Sequence, residues 1–331
     1  GDVLSYYKGQ DVGSFVASIP LNSLCAVVPP DEEEAAKTNV WRFVLHARRK
    51  SFVLFAKSMQ EMNKWISSLN DVIDNCPIIE TPLERMIDEL KVATAAEVEA
   101  MYQTQKGLTY SNAPLRVSLL PLPYGETVET PSGRKYGTLQ VEALKVSASL
   151  LPPGLTGDAK RYGDPKDPVP LIKAICQTCF DVKKLQNEVY CQVIKLTSGM
   201  TEPGSPLNMV HWALLGAMCV SFLPARKFVR FLRFHLRRTV ELNESEDVVA
   251  AAKFCLDAIK SARGTRDFPP STEEIKSILN GSPLKCTVHA VGDVEPTDVE
   301  VTSNTTCGEV IAIVKEKLQL TDCANGFGLF E

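Results

Sequence analysis

The chain has 331 residues, 44% hydrophobic and 23% charged, with a formal net charge of −4. That is globular composition with length for two or three domains, and its mildly acidic balance runs against a general nucleic-acid binder, which would be basic overall. No apolar run is long enough to span a bilayer, no stretch reads as a secretory signal, and a first residue of Gly1 rather than Met reads as a piece of something longer.

Residues 3 to 56 read as strands and turns. Val3–Tyr7 is rich in β-formers and closes at Lys8-Gly9; Ser14–Ile19 alternates until Pro20; Ser23–Val28 is a short strand ending at Pro29-Pro30. An acidic loop, Asp31–Glu34, follows. Trp41–Ala47 and Ser51–Ala56 pattern as a hairpin across Arg48-Arg49-Lys50. Ser58 is a cap for an amphipathic helix, Met59–Ile73, with Met62, Trp65, Ile66 and Leu69 as its apolar stripe.

Pro77–Pro82 is a linker, after which the apolar period becomes helical. Helices are predicted at Leu83–Leu90, Ala95–Gln103, Leu139–Leu150, Leu171–Phe180, Asp181–Thr197, Asn208–Phe222, Ala225–Val240 and Asp247–Ala262. Leu119–Gly125 is too rich in proline for a regular element, and Pro152–Pro170 reads as a long surface loop. Ser271 with Glu274 forms a capping box for a helix that stops at Gly281. Beyond Pro283 the period drops to two: strands at Leu284–Ala290 and Asp298–Thr302, a helix at Cys307–Leu318 capped by Thr306 and Glu309, and a strand beginning at Gly328.

The segment Ala225–Thr239 stands out. It carries Arg226, Lys227, Arg230, Arg233, Arg237 and Arg238, and no acid. At about 100° per residue, Arg226, Arg230, Arg233 and Arg237 fall within roughly 60° of one another, while Phe228, Phe231, Leu232 and Leu236 gather opposite. Neighbouring like charges at this spacing repel, at about 0.2–0.5 kcal/mol per pair. The stripe is either a solvated face balanced by acids from elsewhere or a site for a polyanion such as phosphoinositide, nucleic acid or an acidic protein tail.

The remaining chemistry-bearing residues fall short of a site. Cys176 and Cys179 form a lone CxxC with no second pair for zinc, and the other eight cysteines are scattered, so all ten read as free and buried. His46, His211, His235 and His289 have no nucleophile or carboxylate in motif spacing. Gly199–Gly204 lacks the Lys-Ser or Lys-Thr of a phosphate loop. Catalytic residues, metal ligands and cofactors are therefore expected to be absent. Tyr190 is expected to seat its ring in the core and bond through its hydroxyl, on a helix whose one buried side is Val189, Gln192, Val193 and Leu196.

Four stretches carry a resemblance. Pro20–Glu32 resembles the tail pleckstrin homology region of class X myosins; Leu119–Gly125 and Asn187–Thr197 resemble the myosin tail homology 4 domain; Phe327–Glu331 is similar to the first FERM lobe of that family. The resemblance implies a multidomain α+β chain: the C-terminal part of a pleckstrin homology domain at 1–76, an all-helical tail homology domain at 83–281, and the start of a ubiquitin-like FERM lobe at 284–331. It implies a non-catalytic cytoskeletal adaptor, cytoplasmic and associated with filopodia or the inner face of the plasma membrane. Microtubules, through acidic tubulin tails, would meet Arg230, Arg233, Arg237 and Arg238, with Arg226 and Lys227 extending the patch. Receptor tails would bind through the FERM region, and actin only through an upstream motor. The first two strands of the pleckstrin homology fold, whose loop carries most phosphoinositide ligands, are missing. Only Tyr7 and Lys8 remain as candidate lipid contacts. The alternative is a non-motor adaptor of phosphoinositide membranes with the same three modules.

Overall fold

The computed structural model describes residues 2–9, 12–30, 40–48, 50–125, 130, 132–152, 167–199, 202–242, 245–262, 264–289, 295–302 and 305–320. The acidic loop Asp31–Glu34, most of the expected loop at Pro152–Pro170 and the stretch Phe327–Glu331 lie outside them. The described chain runs from strands through helices to a short mixed α/β end, an α+β order. It divides into two compact units, one of residues 1–100, 114–148 and 181–188, the other of residues 101–113, 149–180 and 189–331.

In the first unit, β1 (Val3–Tyr7) pairs antiparallel with β2 (Phe15–Pro20), matching Leu4 to Ile19 and Tyr6 to Ala17. A second antiparallel sheet has the order β3 (Ala26–Val28), β4 (Trp41–His46), β5 (Ser51–Ala56). Alternation puts Phe43 and Leu45 inside, where they meet Ile19, Leu21 and Cys25. Helix α1 (Met59–Asn75) closes this core with Met62, Leu69 and Ile73, and Ser58 caps it by accepting from the Glu61 N–H. Trp65, expected on the apolar stripe, is instead 45% exposed. The seam that reaches the sheet runs Met62, Ile66, Leu69, Ile73, and Trp65 lies to one side of it.

The proline-rich segment docks on these strands. The Tyr124 N–H donates to the Leu24 carbonyl at 2.7 Å, and the Tyr124 ring packs on the core. Gly125 follows with φ of 116°, and a Cβ there would lie 2.8 Å from the His46 ring, so the position admits glycine alone. Upstream, the N–H groups of Leu119 and Leu120 donate to the two oxygens of Glu188, at 2.9 and 2.7 Å. A segment barred from regular structure by its prolines thus obtains partners from the Leu24 backbone carbonyl and a buried carboxylate. This unit also holds α2 (Pro82–Leu90), which opens on a Thr81–Glu84 capping box that the sequence reading passed over, and α4 (Leu139–Ser149).

Helix α3 (Ala95–Thr104) and α5 (Val169–Asp181) follow the expected periods, with Pro170 inside the first turn of α5 rather than in a loop. A helix was expected to run from Asp181. The chain instead breaks there: a 3₁₀ turn, Lys183–Leu185, precedes α6 (Gln186–Thr197). The Asp181 carboxylate accepts from the hydroxyls of Ser132 and Tyr136, both at 2.6 Å. Nor is α6 buried on one side only: every residue from Glu188 to Ser198 is buried. Apolar periodicity understates such a helix, because its polar positions find internal partners.

The second unit is built around α7 (Pro206–Ser221), which packs against α9 (Glu246–Ser261) and α10 (Thr272–Asn280), while α9 also packs against α8 (Arg226–Glu241). Tyr190 seats its ring as expected, edge-on to Phe222, and its hydroxyl donates to the Phe222 carbonyl at 2.7 Å. The expected capping box at Ser271 and Glu274 is present, and Gly281 ends α10 with φ of 59°. Beyond it, β6 (Leu284–Val288) pairs antiparallel with β7 (Thr297–Val301), and α11 (Cys307–Lys317) packs on β7.

Candidate functional site

Helix α8 presents the cationic stripe. Phe228, Phe231, Leu232, His235, Leu236 and Thr239 are buried, and Arg226, Arg230, Arg233 and Arg237 are exposed. The four guanidiniums run about 16 Å along the helix, one per turn at 1.5 Å rise per residue. Among the described residues none of the four has an ion-pair partner within 4 Å.

The local energetics of this helix are poor. Its N-cap, Ala225, offers no side-chain bond to the first turn. Arg226 and Lys227 place positive charge where the helix dipole is already positive, and the stripe repels itself. Packing holds it. The His235 ring stacks on Trp212 with centroids 5.7 Å apart, and its Nε2 lies 2.9 Å from the Thr197 hydroxyl. Burial, with Arg238 nearby adding to it, pushes the His235 pKa down to about 3, so the ring is neutral and adds no charge to the stripe.

The six predicted cations are not equivalent. Arg238 is half-buried, with its guanidinium 4.1 Å from the centre of the Tyr102 ring, so it serves packing. Lys227 is half-buried and has an interaction of its own. Of the lipid candidates, Tyr7 is exposed and packs edge-on against Phe15 at 5.7 Å, and the Lys8 N–H closes the β1–β2 turn by donating to Ser14. Sequence reasoning gave neither Glu188 nor Lys195 its anchoring role. Lys195 is buried and donates to the carbonyl of Thr109 at 2.6 Å and to that of Lys106. Burial lowers its pKa. Both are structural anchors of loops, and no spacing rule marks them.

Burial shields the thiols of the CxxC pair. Cys176 and Cys179 are fully buried; burial pushes Cys176 up to about 12 and Cys179 well above the usual thiol range. The expectation that all cysteines are buried fails at Cys307, which is exposed on the first turn of α11, and at half-buried Cys286. Among the described residues no group of His, Cys, Asp and Glu is arranged to hold a metal ion. No described helix is long and apolar enough to cross a membrane.

Three family models match the chain: PH domain over residues 1–74, MyTH4 domain over 172–277 and RA like domain over 282–331. The chain carries a PH domain, a MyTH4 domain and a FERM-like lobe. Such domains are binding modules. Pleckstrin homology domain-containing family H member 3 of Mus musculus is 30% identical across this whole chain, which spans 41% of that protein. The Myosin-I heavy chain of Dictyostelium discoideum is 27% identical over 51% of the chain and 7% of its own length. The Dictyostelium discoideum Myosin VII MyTH4-FERM MF1 domain (mutant 2) superposes with a TM-score of 0.51 at 20% identity, over 68% of this chain and 46% of that one; at this identity the likeness concerns the fold. The basic helix α8 lies inside the MyTH4 match.

Proposed function

We propose that this PH–MyTH4–FERM-like chain is a non-catalytic adaptor segment whose α8 stripe binds a polyanionic filament surface, the acidic tails of microtubules, while its flanking modules link membrane or receptor cargo to an actin-based motor. The observation that carries this reading is the row of four exposed guanidiniums, without an ion-pair partner among the described residues, on a helix that gains nothing locally from them. Flexible acidic tails meet such a row without demanding fixed geometry. The binding residues are Arg226, Arg230, Arg233 and Arg237, with Lys227 and Arg238 at the margin. The place of action is the cytoskeleton, in filopodia or at the inner face of the plasma membrane.

A second reading is a motor-free adaptor of phosphoinositide membranes. It is favoured by the relative that matches the entire chain, which is named for its pleckstrin homology domain, whereas the Dictyostelium myosin matches about half. Module boundaries at 1–76, 83–281 and 284–331 go with both readings. The matches at 1–74 and 282–331 support the outer two, while the compact unit joining 1–100 with 114–148 speaks against a clean cut at 77–82.

Co-sedimentation with microtubules, run beside flotation with phosphoinositide liposomes, separates the two. The chain should pellet with microtubules, its binding should fall steeply as salt shortens the Debye length below about 8 Å, and Arg230→Asp with Arg233→Asp should abolish it. Pelleting that survives the double reversal sinks the stripe. Flotation without pelleting selects the membrane reading.

A further inference from the structure

A groove of about 1030 Å³ opens in the second unit, where α7, α9 and α10 meet the β6–β7 hairpin. Its floor is made of small side chains, Ala213, Ala250 and Ala251, with Phe254 and Ile278 as apolar walls. Gly216 sets the geometry underneath. A Cβ there would come within 3.1 Å of both Phe254 and Ile278, so the glycine lets α7 approach α9 and α10 closely, and Phe254 stays 41% exposed. Trp212 also lines the groove; it is 1% exposed, and its indole N–H has no acceptor among the described residues.

The charged side chains that line this groove are all acids, and Lys285 stands opposite one of them, Glu300, in the β6–β7 register. Asp247, Asp257, Glu274 and Glu300 line the groove, and among the described residues no lysine or arginine does. Glu274 is committed to Arg266, and Asp257 faces the exposed Lys260 on its own helix. Asp247 and Glu300, both exposed, have no ion-pair partner among the described residues.

We infer that this groove docks a basic segment of a partner protein, with apolar side chains entering between Phe254 and Ile278 and lysines or arginines meeting Asp247 and Glu300. Two features choose this occupant. The floor of alanines leaves room for side chains that none of the described residues supplies, as apolar recognition grooves do. The rim acids would repel an acidic segment and steer a basic one. The charge preference is opposite to that of α8, so one chain holds a polyanion surface and a polycation groove.

The test uses a fluorescein-labelled synthetic peptide with two leucines flanked by lysines, a second with glutamates for the lysines, and a third with serines for the leucines. Anisotropy should show binding of the first, with the other two weaker by roughly tenfold or more. Ala250→Trp, at an exposed position, should fill the floor and abolish binding. Asp247→Lys should weaken binding and flatten its salt dependence. The Trp212 indole resonance should shift on binding. Equal affinity for the glutamate peptide, or undiminished binding by Asp247→Lys, overturns the inference. A dimer in analytical ultracentrifugation that Ala250→Trp dissolves also overturns it, because a second copy would then be the occupant.

Discussion

The imidazole of His235 lies flat on the indole of Trp212, with ring planes 8° from parallel, and so closes the underside of the cationic helix with a neutral ring. The fully buried ring has its pKa pushed down to about 3 from 6.5. Above pH 6.5 both native and unfolded chains hold it neutral, and its contribution is complete. Between 6.5 and 3 the unfolded chain takes up a proton that the native chain refuses, so stability falls as pH falls, at up to about 1.4 kcal/mol per pH unit. His211 is also buried with a lowered pKa and acts with the same sign. Urea unfolding between pH 7 and 5, above the main carboxylate range, should show this slope. His235→Gln should be less stable at pH 7 and have a shallower slope; an unchanged slope would refute the assignment.

Glu188 should prove essential to the fold and irrelevant to binding. Its carboxylate is fully buried and satisfies the adjacent N–H groups of Leu119 and Leu120. Alanine there would strand both donors, at a cost of about 3 kcal/mol, and should also loosen the Tyr124–Gly125 segment that lies on the strands. Glutamine keeps one acceptor and should cost less. Denaturant midpoints of the two variants check the order, and a Glu188→Ala protein as stable as the parent would contradict it.

Residues that act through local period or capping were legible in the sequence. The Ser271, Thr306 and Gly281 signals marked their helix ends, and the amphipathic pattern of α8 separated its buried and exposed residues correctly. Long-range polar contacts were not legible. Nothing local says that Glu188 serves residues 68 or 69 positions upstream, that Lys195 reaches back to Thr109, or that Tyr102 lies under Arg238. Trp65 was misplaced for a related reason. Hydrophobicity put it on the stripe, but the sheet contacts only the narrower seam through Met62, Ile66 and Leu69.

The thiols should fall into two classes under alkylation. Cys307 is exposed, whereas Cys176, Cys179, Cys191, Cys219 and Cys255 are buried within the helices. Burial holds Cys176 and Cys179 away from the thiolate form that reacts, and a hydrogen bond with Cys219, with burial adding to it, does the same for Cys255. Brief iodoacetamide treatment with peptide mapping should label Cys307 and leave those five untouched until denaturant is added. Fast labelling of Cys176 or Cys179 in the native protein would reopen a redox role for the CxxC.

Arg230 and Arg238 should separate binding from stability on one helix. Arg238 places its guanidinium over Tyr102, which also packs against Phe234, whereas Arg230 is exposed and has no ion pair among the described residues. Removing Arg238 by alanine loses a partly desolvated cation–π contact and should cost about 1–2 kcal/mol. Removing Arg230 relieves repulsion from Arg226 and Arg233, so stability should hold within about 0.5 kcal/mol. Tyr102→Leu should erase most of the difference between Arg238 and alanine, since the ring is what that guanidinium gains from. In co-sedimentation the order should invert: Arg230→Ala weakens microtubule binding and loses part of its salt dependence, while Arg238→Ala, at a temperature where it stays folded, loses less. Equal stability costs at the two positions would show that the ring contact contributes nothing. Equal binding losses would show that the site extends round the helix beyond the four-arginine row.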